Sequence, residues 1–414
     1  MTNPTIIVIG GGAAGFFGAI TAAEKNAGAK VLLLEKSPEL LAKVTISGGG
    51  RCNATHSCFD PQTLSEKYPR GGRELIGAFH RWQPRDMIAW FAARDVKLKA
   101  ERDGRMFPVT DKSATIVNCL LAAAKKAGVE IRTQCGVASA DKRAGGGFHL
   151  TLTTREQLDC DCLLLATGGN QNSGGHAVAE TLGHKITPLV PSLFTFNISD
   201  PRLKNLSGIS VPDAAVEVPA CKLRQTGPLL ITHWGLSGPA ILKLSAWGAR
   251  VLAEKNYDFE LVVNWVQAMD RSRLIKHLGS VRTASSGKNI GVFSPVPMPA
   301  RLWKSLATSV GIYESARWGS LPNSALQAVA DVIHASKFHV TDKSMFKEEF
   351  VTCGGVDLRE VDFKTMESKL CPGLFFAGEV LDIDGVTGGF NFQAAWTTGW
   401  IAGQSMSSPA EAHH

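Results

Sequence analysis

The 414-residue chain has no second pair of cysteines at metal-ligand spacing, no block of like charge, and no basic segment ahead of its long uncharged run near the N-terminus. Each absence closes a class of function. Nine cysteines, odd in number and irregularly spaced, do not form a disulfide framework. Cys160 and Cys162 flank Asp161, yet no partner pair completes a zinc set, so no metal is expected. Such cysteine usage fits reduced thiols and a cytoplasmic location. The 44 Lys and Arg are scattered among 37 Asp and Glu, and the resulting formal charge of +7 reads as a solvated surface. Nucleic acid is therefore not expected as a partner. The uncharged run from Thr5 to Ala23 imitates a membrane segment, but five of its nineteen residues are glycine, so no membrane partner is expected either.

What is present is the composition of a globular protein, 44% hydrophobic and 20% charged, long enough for two or three domains. The uncharged run has its own internal order. Ile6 to Ile9 read as a central parallel strand, and Gly10-Gly11-Gly12-Ala13-Ala14-Gly15 satisfies G-x-G-x-x-G. A helix is expected from Ala13 to Ala27 with Gly28 as its C-cap, then a strand from Val31 to Leu34 running into Glu35 and Lys36. Gly10 permits the tight turn, Gly12 a close backbone approach to a pyrophosphate, and Gly15 close packing of helix on strand. The helix N-terminus offers N–H groups to phosphates, and Glu35 stands where a carboxylate accepts from a ribose hydroxyl.

This unit binds the ADP half of either NAD or FAD, and two features select FAD. Leu163 to Leu165 enter an Ala166-Thr167-Gly168-Gly169 turn that lacks a second complete fingerprint. Near the far end, the strand Leu374 to Ala377 leads to Gly378-Glu379, then Asp382, Asp384, Gly385, Gly388 and Gly389, and a helix from Asn391 to Ala402. A carboxylate after the strand suits a ribityl chain. The positive end of that helix suits the flavin edge where negative charge collects on reduction.

Three strings carry a family resemblance: Lys43-Val44-Thr45-Ile46-Ser47-Gly48-Gly49-Gly50-Arg51-Cys52-Asn53, then Thr232-His233-Trp234-Gly235-Leu236-Ser237-Gly238-Pro239, then Gly378 to Gln393. With the N-terminal unit they resemble the bacterial aminoacetone oxidase-like, or conserved-flavoprotein, family of NAD(P)/FAD-dependent oxidoreductases. The resemblance implies an α/β fold of the glutathione-reductase type. Its Rossmann-like FAD-binding domain, a three-layer ββα arrangement, would be residues 1–187 and 345–408. A β-rich cap would be 188–250 and about 336–344, and a small helical insertion 251–335. One departure is Leu41-Ala42, which stands where relatives carry glycine and a basic residue. The family is linked both to amine oxidation, aminoacetone to methylglyoxal, and to reduction of unsaturated steroid ketones.

The candidate cofactor contacts are Gly10, Gly12, Ala13, Ala14, Gly15, Glu35, Lys36, Lys43, Gly49, Gly50, Arg51, Cys52, Asn53, Val137, Ala166, Thr167, Gly168, Gly378, Glu379, Asp384, Gly388, Gly389, Asn391 and Phe392. Arg51 offers a planar fork to phosphate or flavin. Lys43 would pair with the pyrophosphate or sit near flavin N5. Cys52 reads as a packed thiol, because Cys58 is six residues away and makes no C-x-x-C. His233 is the candidate proton donor or substrate ligand. Asn391 and Gln393 would orient the flavin. The tryptophans, Trp247 among them, read as packing residues, with Trp234 the exception inside its motif.

The function expected is FAD-dependent oxidoreduction of a small molecule. The electron partner is O2, or NAD(P)H bound transiently for want of a second nucleotide fold. The alternatives are a tRNA-modifying flavoprotein and a non-catalytic flavin-binding redox sensor.

Overall fold

The computed structural model describes residues 3–344 and 351–406; the domain bound expected at 345 and the terminal His413 and His414 lie outside them. The chain divides into two compact units, Met1–Val190 with Lys347–His414, and Pro191–Phe346.

The first unit is an α/β Rossmann-type fold of the FAD-binding class. We label the strands of its seven-stranded sheet in chain order: β1 Thr5–Ile9, β2 Lys30–Leu34, β3 Glu130–Arg132, β4 Cys162–Leu165, β5 Val361–Asp362, β6 Glu367–Ser368 and β7 Leu374–Phe376. Their spatial order is β5-β6-β7-β4-β1-β2-β3, with β7, β4, β1, β2 and β3 parallel. Every residue from Ile6 to Ile9 and from Cys162 to Leu165 is buried, which explains why these strands read as continuous apolar runs rather than alternating ones. A three-stranded antiparallel sheet (Val137–Lys142, Phe148–Leu152, Gln157–Cys160) forms a further layer.

Helix α1, Ala13–Lys25, follows β1, and helix α2, Phe390–Ser405, follows β7. α1 ends at Asn26 rather than running on to Ala27, because the Asn26 amide donates to the carbonyls of Ala22 (3.0 Å) and Met406 (2.8 Å); Gly28 then turns at φ +91°. The two helices pack through residues with little or no side chain. A Cβ on Gly399 would lie 2.7 Å from the Ala14 carbonyl oxygen, one on Gly18 would lie 3.4 Å from that of Gly399, and one on Gly403 would lie 2.7 Å from that of Gly18. The pairing of Ala14 with Gly399 and of Gly18 with Gly403 makes the helices run in the same direction. α2 therefore begins nine residues before the level of Ala14, and its first residue lies about 12 Å beyond that of α1 at 1.5 Å per residue.

Leu41 adopts φ +55° as the N-cap of the helix that begins at Ala42 and gives way to non-helical backbone at Ser47, and it is buried. The left-handed conformation costs an L-residue about 1–2 kcal/mol. Burial of a leucine side chain, worth about 1.5–3 kcal/mol, offsets it.

In the second unit one antiparallel seven-stranded sheet takes in residues 195–197, 210–218, 223–231, 235–237, 259–264, 336–340 and 342–344. Helices Arg271–Ala284, Ala300–Ser309 and Asn323–His334 share a single hydrophobic core with it. Trp265, Trp303 and Trp318 are fully buried there, Trp303 and Trp318 stacked at 5.8 Å. Trp247 corrects the packing assignment: it is the last residue of the helix Pro239–Trp247 and is 44% exposed.

If the α1–α2 seam depends on absent side chains, Gly399→Ala forces backbone apart and lowers stability by about 1–3 kcal/mol. Gly279, in the interior of Arg271–Ala284 with open space about its missing Cβ, is the opposite case. Gly279→Ala is expected to raise stability by about 0.5–1 kcal/mol. Urea unfolding of the two variants checks both signs.

Candidate functional site

The site grows from the C-terminal ends of β1, β4 and β7. Gly10 abuts the turn after β4, since a Cβ there would meet the Ala166 oxygen at 2.4 Å, and one on Gly15 would meet the Gly10 oxygen at 1.9 Å. These two glycines are demanded by packing. Gly12 is not: a Cβ there meets no atom within 4 Å, and its φ of −90° suits any residue. Gly12 is the N-cap of α1, with no side-chain cap and no acid in the first turn, so the opening N–H groups of the helix have no side-chain acceptor at the cap. Gly168 is likewise open, at φ +74°.

The turn after β4 carries a second kind of signal. Thr167 Oγ1, Ser173 Oγ and His176 Nδ1 are all buried without a hydrogen-bond partner among the described residues. His176 Nε2 lies 3.1 Å from the Val380 oxygen, and burial pushes the imidazole toward its neutral form, so Nε2 donates and Nδ1 is a bare acceptor. Three buried polar atoms without a partner thus fall in one short segment, positions that a water or a bound ligand would satisfy. Lys36, at the end of β2, donates to the carbonyl of Asn172 in this same turn. Val137 is half-buried at the start of its strand.

The acids expected around a dinucleotide are each engaged. Glu35 accepts from the backbone N–H of Gly11 (2.7 Å) and of Ser37 (2.8 Å). Glu379, in the turn after β7, pairs with Lys43 at 2.6 Å, which joins the second sequence string to the third. Asp384 is fully buried and held by both arms of the Arg70 guanidinium.

Helix α2 starts at Gly389, which is at φ +89° with its missing Cβ only 2.6 Å from the Thr55 oxygen. With its amide oxygen toward that turn, Asn53 accepts from the Gly389 N–H at 2.9 Å and donates to the Thr55 oxygen at 3.0 Å. Thr55 donates to Gln393 at 2.6 Å, and the His56 ring stacks on Phe390 at 4.7 Å. Asn391 accepts from the Gly385 N–H and donates to its oxygen, closing the loop ahead of the helix. Phe392 stacks on Trp396. Gly388 and Gly389 thus form a tight turn that leaves the helix N-terminus without a side-chain cap or an acid.

Gly48, Gly49 and Gly50 run at φ +59°, +68° and +79°, with open space about the last two. Arg51, read as a phosphate or flavin ligand, is placed otherwise: it donates to Glu101 at 2.7 Å, lies 3.5 Å from Asp111 and stacks 4.0 Å over Phe107. Cys52 is fully buried, and desolvation pushes its thiol up to about 12. His233 belongs to the second unit, exposed, its ring edge-on to Trp234 at 4.2 Å.

Sequence reading missed His56, His176, Arg70 and Tyr68, whose buried hydroxyl donates to the Phe390 oxygen at 2.6 Å. His56 could have been found, three residues after Asn53 in the same string. Arg70 and Tyr68 carry no local signal.

A profile of the family described as HI0933-like protein Rossmann domain matches residues 4–405. The ribosomal RNA dihydrouridine synthase of Escherichia coli is 30% identical over 417 residues, spanning 97% of both chains. The 3-dehydro-bile acid delta(4,6)-reductase of Clostridium scindens is 29% identical over 421 residues, 97% of this chain and 98% of that one. Among solved structures, 3-ketosteroid delta1-dehydrogenase from Sterolibacterium denitrificans is similar in fold, with a TM-score of 0.51 at 12% identity over 98% of this chain and 99% of that one.

Two outcomes are expected of the buried groups. Alkylation of the native protein at mildly alkaline pH labels the half-buried Cys58, Cys135 and Cys221 and leaves Cys52 unmodified, as read by peptide mass spectrometry. Arg70→Ala strands the Asp384 carboxylate and costs about 3–5 kcal/mol in thermal or urea unfolding.

Proposed function

The chain belongs to the family of HI0933-like Rossmann-domain proteins, flavoprotein oxidoreductases, and from that premise we propose that it holds FAD along the α1–α2 seam and reduces a carbon–carbon double bond conjugated to a carbonyl. The observation that carries the cofactor reading is the open space at Gly12, a glycine that neither packing nor backbone strain requires. Room for a pyrophosphate at a helix N-terminus is what such a position supplies. Thr167, Ser173 and His176 add unsatisfied polar atoms in the turn after β4, the turn that Gly10 abuts.

When bound, FAD supplies the two-electron hydride chemistry, with NAD(P)H as the class of reductant. The chain's residues do the rest. Gly10 to Gly15 and the α1 N-terminus hold the phosphates, while Glu35 turns from its loop N–H groups to a ribose hydroxyl. Lys36 and Val137 bound the adenosine end. The α2 N-terminus, braced by Asn53, Asn391 and Gln393, would present its positive end to the flavin and stabilise negative charge there. Lys43 and Glu379 hold one another at the ribityl chain. His233 is the proton donor or substrate ligand, and the inserted residues 191–346 serve substrate recognition.

The direction of reaction follows the relatives' names, since dihydrouridine synthase and delta(4,6)-reductase both denote addition of hydrogen across a double bond. Uracil in RNA and an unsaturated steroid ketone are the two substrate classes so named. Identity does not rank the two, at 30% and 29%. Oxidation of an amine with O2 is the reverse use of the same cofactor.

Gly12→Val is expected to lower the melting temperature of the cofactor-free protein by no more than a few degrees, the cost of a poorer N-cap, and to abolish flavin absorbance after purification. Retention of the yellow colour would remove the basis of the reading. Anaerobic photoreduction followed by mixing with O2, with uridine-containing RNA or with an unsaturated ketone separates oxidase from reductase. Slow reoxidation by all of them would indicate a redox sensor.

A further inference from the structure

His184 lies at a corner of the first unit, between the helix Gly175–Thr181 and the strand Ile186–Ser192, along which the chain leaves that unit. Its side chain is fully buried and meets two groups from the edge of the seven-stranded sheet. Nδ1 lies 2.9 Å from Oε2 of Glu360, just ahead of β5, and Nε2 lies 2.8 Å from Oγ of Ser368, at the end of β6. The ring stands edge-on to Phe376 of β7 at 4.8 Å. Backbone bonds close the same corner: the Lys185 N–H donates to Glu360 and the Asp357 N–H to the Lys185 oxygen, both at 3.0 Å.

Glu, His and Ser in this order form the relay of a hydrolase, but Ser368 is only 5% exposed and is no nucleophile. Its Oγ already accepts from the N–H groups of Leu370 (3.0 Å) and Cys371 (2.8 Å), which take both lone pairs. The hydroxyl proton therefore goes to His184 Nε2, and the ring carries its own proton on Nδ1, facing Glu360. One neutral tautomer is fixed in this way. A second proton would sit on Nε2 and point at an oxygen with no lone pair left, so a charged ring breaks the Ser368 contact. Burial opposes the imidazolium more than Glu360 favours it, and Lys142 on the neighbouring strand opposes it too, which holds the ring below its usual range. The other charged groups around the corner are engaged or in water. Arg359 pairs with Asp357, Glu367 accepts from the Gly373 N–H, and the Lys185 side chain is exposed. Burial pushes the Cys371 thiol up, so it stays neutral.

We propose that His184 is a proton-operated latch: when neutral it pins the corner 182–190 to the sheet edge 358–371, and when protonated it releases that corner. The opened corner exposes an ordinary imidazole, which titrates at about 6.5, whereas the closed corner resists the proton. Latching is thus complete above about pH 6.5 and is lost as the pH falls below it, through the closed form's own lower value. Between about pH 7.5 and about pH 5.5 the open form gains up to about tenfold in population. The latch stands whether or not the first unit holds a flavin.

The test uses the full-length protein with isotope-labelled histidine, read by a long-range proton–nitrogen spectrum. His184 is recognised there by its loss in His184→Gln or by its shift in Glu360→Gln. At about pH 7.5 the expected ring is neutral with its proton on Nδ1, and its titration midpoint lies below about 6.5. Hydrogen exchange read by mass spectrometry, corrected for the intrinsic rate, should rise up to about tenfold at about pH 5.5 in peptides covering 182–190 and 358–371, and change little in β1 and β4. Glu360→Gln keeps an acceptor for the Nδ1–H but removes the charge that draws a proton, so opening moves to lower pH. His184→Gln, which does not titrate, should make exchange in those peptides independent of pH. Should that variant fail to fold, the tautomer and the Glu360→Gln shift still decide. A ring protonated on Nε2 at about pH 7.5, equal corrected exchange at both pH values, or a Glu360→Gln shift toward higher pH overturns the latch.

Discussion

The close approach of α1 to α2 is the contact on which the rest of the first unit depends. Gly18, Gly399 and Gly403 let two backbones touch where any side chain would hold them apart. The helices belong to opposite ends of the chain, so this seam closes the sheet around β1, β4 and β7. It also staggers the two helix N-termini by about 12 Å, with one at the glycine turn after β1 and the other beyond it. A small ligand would use one such terminus. An extended dinucleotide with an anionic middle and an electron-accepting end uses both.

Electrostatics follow from that arrangement. Neither helix has an acid in its first turn or a cap from its own N-cap residue; Glu35 reaches the Gly11 N–H ahead of α1 and Asn53 the Gly389 N–H ahead of α2, which leaves the N–H groups of each first turn without a side-chain cap. The nearby acids are each tied to another group: Glu35 to loop N–H groups, Glu379 to Lys43, Asp384 to Arg70. Arg51 is neutralised in the same way by Glu101 and Asp111. Side-chain charges are paired among themselves, and backbone dipoles are what remain to meet a bound anion. Buried, partnerless Thr167, Ser173 and His176 belong to the same economy, since their lost hydration is recovered only when something polar fills the gap.

Fold similarity does not choose a substrate, because the same architecture serves different chemistries. The relatives named for ribosomal RNA and for a bile acid are matched over nearly the same length and at nearly the same identity. What separates such substrates is size and charge, and those are properties of surface rather than of the FAD-binding sheet.

The sequence by itself determined the local grammar: the strand–glycine–helix–strand run from Thr5 to Glu35, the Ala166 to Gly168 turn, and the helix after Gly389. Those features depend on φ/ψ freedom and on apolar spacing within a few residues, and both are written locally. Only the tertiary structure decided which charges meet. Arg70 lies 314 residues from Asp384, Lys43 lies 336 from Glu379, and nothing in either neighbourhood names its partner. It likewise decided that Arg51 would serve Glu101 and Phe107, that Leu41 would take a glycine's backbone conformation, and that Trp247 would face water. A charge or an indole finds its place through whatever the closed chain brings within a few ångströms, and that closure is a property of the whole molecule.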